Sequence, residues 1–134
     1  MDHCLGGRIV PDALRAAGMD IITLVEAGYA QDAQDAAWIP EVAAQRWVIL
    51  TKDKAIRRDS IELRAVLTAR AYYFTLGGGN YTGAAMAEVI LYHRPTIERI
   101  VGHREPPVVA QLNRHELLLR KGDGSLQPVK RRGA

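Results

Sequence analysis

Three aspartates are the residues of this chain best suited to chemistry: Asp2 beside the N-terminus, Asp35 near the start of a helical pattern, and Asp53 just past an apolar run. Carboxylate oxygens are hard ligands. Gathered from separate segments they suit Mg2+ or Mn2+, ions that keep several waters and also accept phosphate oxygens. An ion so held lowers the pKa of a bound water and neutralises charge growing on a phosphate under attack. Each aspartate has an ordinary explanation too. Asp53-Lys54 fits a turn after a strand, Asp32 and Asp35 fit helix caps favoured by the helix dipole, and Asp2 fits a chain terminus. The chemical expectation rests on the three converging.

Other groups gather near these acids. Lys52, Lys54, Arg57 and Arg58 crowd around Asp53, either to hold a phosphate backbone or as a solvated basic surface. Gly77-Gly78-Gly79-Asn80 leads to Thr82, a helix N-cap, so Asn80 and Thr82 could receive a phosphate. The loop fits neither GxGxxG nor the P-loop, so no cofactor beyond the metal is expected. Glu41 and Glu88 suit outer acids or helix surfaces equally. His3, His93, His103 and His115 show no ligand spacing. Cys4 beside His3 is no nucleophile–base pair, because neighbours on an extended strand point to opposite faces. Trp38 and Trp47 fit the core.

Positioning these groups requires an alternation of strands and helices. Val10–Ala17 reads as a helix with Pro11 in its first turn and Gly18 at its end. Asp20–Leu24 reads as a short buried strand, and Asp32–Arg46 as helix, with Pro40 starting a new segment or kinking the old one. Trp47–Thr51 is continuous, apolar and β-branched, as in a strand covered on both faces. Ser60–Arg70 (helix), Ala71–Leu76 (strand) and Thr82 to about Val101 (helix) follow. Pro107–Leu112 and Glu116–Arg120 make a hairpin around Asn113-Arg114-His115. The expected fold is α/β: three layers around a mostly parallel central sheet, with a C-terminal β-hairpin. Ligands of such a sheet bind beyond the carboxyl ends of its strands, where Asp53 falls.

The length of 134 residues suits one domain, and 48% hydrophobic residues suffice for a core without disulfides. The single Cys4 points to a reducing cytoplasm. No apolar run is long enough for a bilayer span, and no signal peptide is apparent, so a cytoplasmic protein without membrane contact is expected. Arg120, Lys121, Lys130, Arg131 and Arg132 face only Asp123 in the C-terminal stretch, leaving 13 basic and 14 acidic residues in the first 119. The basic excess sits in a tail that either holds phosphate or solubilises the chain. The expected division is a domain over 1–120 and a flexible basic tail over 121–134.

Several segments resemble the PIN-like domain family, which includes VapC toxins of toxin–antitoxin pairs. They are Asp2-His3-Cys4-Leu5-Gly6, Val10 to Gly18, Asp35-Ala36-Ala37-Trp38-Ile39-Pro40-Glu41-Val42, Leu50-Thr51-Lys52-Asp53-Lys54, Gly79 to Ala84, and Met86-Ala87-Glu88. The Leu-Thr-Lys-Asp segment is the most specific, and the likeness extends to about Leu119. It implies a metal-dependent endoribonuclease with Asp2, Asp35 and Asp53 as its acids, RNA as substrate and an antitoxin as partner. The apolar stripe Met86, Val89, Ile90, Ile97 and Ile100 is mostly core, with an exposed part suited to a homodimer face. Two features depart from the family pattern. Only Met1 precedes Asp2, so the first strand is nearly absent, and Asn80 and Thr82 stand where a fourth acid is common. Weaker metal binding is expected. The alternative is a non-catalytic PIN-like interaction module with a degenerate metal site. A response-regulator-like phosphoacceptor fits less well, since it has no place for the hairpin and tail.

Overall fold

In the computed structural model, apolar residues of the central strands alternate between two helical layers. The structure describes residues 9–23, 26–29, 35–52, 61–77, 81–122 and 124–129, with backbone alone at residues 35, 36, 61 and 62. The elements are α1 (Ile9–Ala16), α2 (Asp35–Ala44), β1 (Val48–Lys52), α3 (Ile61–Ala69), β2 (Tyr72–Leu76), α4 (Gly83–His103), β3 (Val108–Leu112), β4 (Leu117–Arg120) and β5 (Leu126–Val129). The described strands form one sheet in the order β1-β2-β3-β4-β5. β1, β2 and β3 are parallel, and β4 and β5 are antiparallel to their neighbours. The α/β expectation with a mostly parallel core and an appended hairpin is met.

Side chains of successive strand residues point to opposite faces, and the two cores follow that period. Leu50, Tyr72, Phe74, Leu76, Val108, Ala110 and Leu112 pack with Val10 and Leu14 of α1 and with Ile90, Ile97 and Ile100 of α4. Ile49, Tyr73 and Val109 pack with Trp38, Ile39 and Val42 of α2 and with Leu63 and Val66 of α3. Both faces are therefore covered, which is why these strands read as continuous apolar runs.

The helix ends have local causes. α1 stops in a Schellman motif: Gly18, at φ +87°, donates to Arg15 O and Met19 donates to Leu14 O. α3 ends the same way around Arg70, at φ +56°, with Ala71 N donating to Val66 O. Thr82 caps α4 through its hydroxyl, which accepts from Ala85 N at 3.1 Å. α2 runs through Pro40 as one helix instead of starting afresh there.

Three expectations are corrected. Asp20–Leu24 is not a strand over its described residues, Asp20–Thr23. The reason is local bonding. The Arg15 guanidinium donates to Ile21 O at 2.9 Å. Thr23 and Glu26 form a capping box, with Thr23 N donating to Glu26 Oε1 at 2.9 Å and Glu26 N to Thr23 Oγ1 at 3.1 Å. Ala27 N then donates to Thr23 O, closing a helical turn. Second, the sheet continues past residue 120. A turn with Lys121 N donating to Ser125 O at 2.8 Å folds β5 onto β4, so part of the expected flexible tail is a strand. Third, Trp47 is not core; it precedes β1 and is 37% exposed, whereas Trp38 is buried as expected.

Candidate active site at the carboxyl ends of the strands

The parallel strands end in register, with Lys52 opposite Leu76 and Leu76 opposite Leu112. A short connection leads from α2 into β1, so α2 runs back toward the start of β1 and its first residue, Asp35, belongs at the far edge, with these strand ends. α4 starts from the same edge after β2, with Thr82 as its cap. A Cβ on Gly83 would lie 2.7 Å from Ile9 Cγ2, so α1 also begins here. Of the residues expected to act, the described edge thus holds the backbone of Asp35, half-buried Lys52 and exposed Thr82. Asp2, Asp53, Lys54, Arg57, Arg58 and Asn80 lie outside the described residues. Among the described residues no three His, Cys, Asp or Glu side chains cluster as metal ligands.

The sequence reasoning missed a polar row at this edge. Thr51, Thr75 and Gln111 are register partners one residue before the strand ends, on the face covered by α2 and α3. Thr51 and Thr75 are buried in strands otherwise apolar at their centres. The signal was available: a threonine occupies the same place in Val-Ile-Leu-Thr and Tyr-Tyr-Phe-Thr. Gln111 continues the row outward, its Nε2 donating to Asn113 Oδ1 at 2.9 Å. It lies so close over Gly77 that a Cβ there would sit 2.5 Å from Nε2 and 2.9 Å from Cγ. Gly77 is required by this approach.

The β3–β4 turn is tied to the same region. Asn113 N donates to Glu116 O at 2.8 Å, and Asn113 O meets His93 Nε2 at 2.5 Å. His93 is buried on α4, so it serves packing and turn anchorage. Tyr81 donates its hydroxyl to Gly77 O at 2.8 Å, and Arg114 lies over the Tyr81 ring at 5.5 Å from its centroid.

A cavity of about 620 Å³ lies elsewhere, against the outer side of β1 toward its start. Met19 to Thr23 wall one side, Arg46 to Leu50 another, and Ile97, Val101 and Gly102 of α4 also line it. Size does not make it the reaction site. Its walls are mainly apolar, and it lies toward the start of β1, away from the strand ends and their row of Thr51, Thr75 and Gln111. Nearby, Glu41 accepts a hydrogen bond from the Tyr29 hydroxyl, which pushes the phenol's pKa up.

Comparison with known proteins agrees with this architecture. The family model described as "PIN like domain" matches residues 1–78. A Mycobacterium tuberculosis protein named "Putative ribonuclease VapC45" is 38% identical over 77 residues, 55% of this chain and 56% of that protein. The chain therefore spans little more than half the length of this curated relative. No solved structure matches the chain. No described helix is long and apolar enough to cross a membrane. On the match over its first 78 residues, the chain belongs to the PIN-like domain family.

Proposed function

We propose that this protein is a metal-dependent endoribonuclease, acting in the cytoplasm as the toxin of a toxin–antitoxin pair. Support comes from its family, from the relative named as a ribonuclease, and above all from one geometric observation. Lys52 ends β1 and Thr82 caps α4 at the carboxyl-end edge of three parallel strands, the edge where such sheets bind ligands.

Asp2, Asp35 and Asp53 would hold the metal, their donor set of carboxylate oxygens fitting Mg2+ or Mn2+. The ion would supply an activated water and charge neutralisation. Lys52, Lys54, Arg57 and Arg58 hold the RNA backbone and stabilise negative charge in the transition state. Asn80 and Thr82 orient a phosphate at the start of α4. The buried threonines of β1 and β2 keep the strand ends polar without adding charge. The antitoxin restrains the enzyme by covering this cleft, and the exposed part of α4 offers a homodimer face.

Replacing Asp53 with Asn should abolish Mg2+-dependent cleavage of single-stranded RNA with the circular dichroism spectrum unchanged. Full activity in that variant would refute the assignment. Asn80 and Thr82 in place of a fourth acid favour a second reading, a PIN-like interaction module without catalysis. Mn2+ titration by calorimetry separates the two, since the module shows no binding that depends on the aspartates.

A further inference from the structure

We propose that Arg114, held on the Tyr81 ring, is a stacking subsite for an unpaired base of the RNA. This deepens the ribonuclease reading and rests on it. The observations are independent of the aspartates. Arg114 is exposed at the tip of the β3–β4 turn, and its guanidinium carbon lies 5.5 Å from the Tyr81 centroid. Among the described residues its charge is met by the face of the Tyr81 ring. Both residues stand at the carboxyl-end edge, beside Thr82 and one loop away from the Leu76 strand end.

The platform is fixed on two sides. Tyr81 is pinned by its hydroxyl bond to Gly77 O. The turn carrying Arg114 is pinned through Asn113, whose carbonyl meets His93 Nε2 and whose side chain accepts from Gln111. Such anchorage is more than an exposed hairpin turn needs, and it lowers the entropy lost when a ligand settles. The guanidinium carbon lies over the Tyr81 ring and Arg114 is exposed, so a further planar group has access to it from solvent. Guanidinium planes stack on splayed bases of single-stranded RNA while their charge attracts the neighbouring phosphate. The adjacent His115 stands edge-on to Tyr92, with ring centroids 5.7 Å apart.

The test is fluorescence anisotropy of the full chain with a labelled mixed-sequence single-stranded RNA dodecamer, and with its duplex, across a salt series in Ca2+. Wild type should bind the single strand saturably. R114A should weaken that binding about tenfold and flatten the salt slope by roughly 0.7. R114K should restore the slope but only part of the affinity, because an ammonium does not stack as a plane. R114A should change duplex binding much less, since paired bases cannot reach the platform. Unchanged single-strand affinity in R114A, with wild type binding, overturns the subsite alone. Equal losses on single strand and duplex, or wild-type affinity in R114K, overturn stacking in favour of a plain phosphate contact. A folded wild-type protein without saturable RNA binding overturns the ribonuclease reading and this subsite with it.

Discussion

The two flanks of β2 are built differently. On one side, β3, β4 and β5 follow in an unbroken ladder whose turns are closed by backbone hydrogen bonds. On the other, β1 has no further described strand beyond it, and the cavity lies there. The contrast teaches that a strand is made by its partner more than by its residues. Asp20–Leu24 is apolar and β-branched, yet its described part turns into a capping box. Leu126–Val129 contains Gln127 and Pro128, yet it is a strand because Gly124, at φ +89°, and the turn around it return the chain to β4. Pro128 is tolerable there because no described strand lies beyond β5 to need its missing N–H.

The largest effect should come from comparing aliphatic truncations on the two flanks. Leu112→Ala, in a fully buried site of β3, should cost about 2–5 kcal/mol in urea denaturation, whereas Ile22→Ala, at 38% exposure, should cost about 1 kcal/mol. Equal losses would break the comparison. Gly77→Ala should cost about 1–3 kcal/mol by forcing Gln111 away, and most of that should return in a Gly77→Ala/Gln111→Ala double variant. A loss unaffected by Gln111→Ala would remove this contact from the account of the closed flank. Thr96 on α4 has a buried hydroxyl without a hydrogen-bond partner among the described residues. Thr96→Val should stabilise by about 1 kcal/mol, read as a raised denaturation midpoint, because it removes a buried hydroxyl left unpaired among the described residues.

The smallest effect belongs to the open flank and depends on pH. The backbone bond from Thr23, then the side-chain bond from Arg15, hold the Glu26 carboxyl below its ordinary value. A depressed folded-state pKa stabilises above the unfolded value and is lost as pH falls through the folded one. Glu26→Gln should therefore flatten stability only on the acid side of the ordinary carboxylate range, and weakly, because the group is exposed and screened. NMR titration of Glu26, together with denaturation midpoints between neutral and acidic pH, checks both parts.

Much of the fold was legible because long apolar runs and capping residues act locally. β1, β2, the Thr82 cap and the Gly18 stop are examples. The turn at Thr23 was legible in principle, since Thr-Leu-Val-Glu is a capping-box spacing, but hydrophobic pattern outweighed it. β5 was not, because it depends on a neighbour supplied by tertiary structure. At the candidate edge, strand position and capping indicated Lys52 and Thr82, which stand there, while Asp53 lies outside the described residues. Gln111 and Arg114 could not be found that way. Their proximity to Gly77 and Tyr81 arises from pairing between distant strands, which leaves no spacing in the sequence.

The register has a consequence for how the molecule assembles. Val48 pairs with Tyr72, and Tyr72 with Val108, across whole helices, whereas Ala110 pairs with Leu119 across a short turn. Closing the longer loops costs more chain entropy before any contact rewards it. The β3–β4–β5 meander is the segment able to form early, and the edge carrying the proposed chemistry, which needs β1, β2 and β3 aligned together, is completed last.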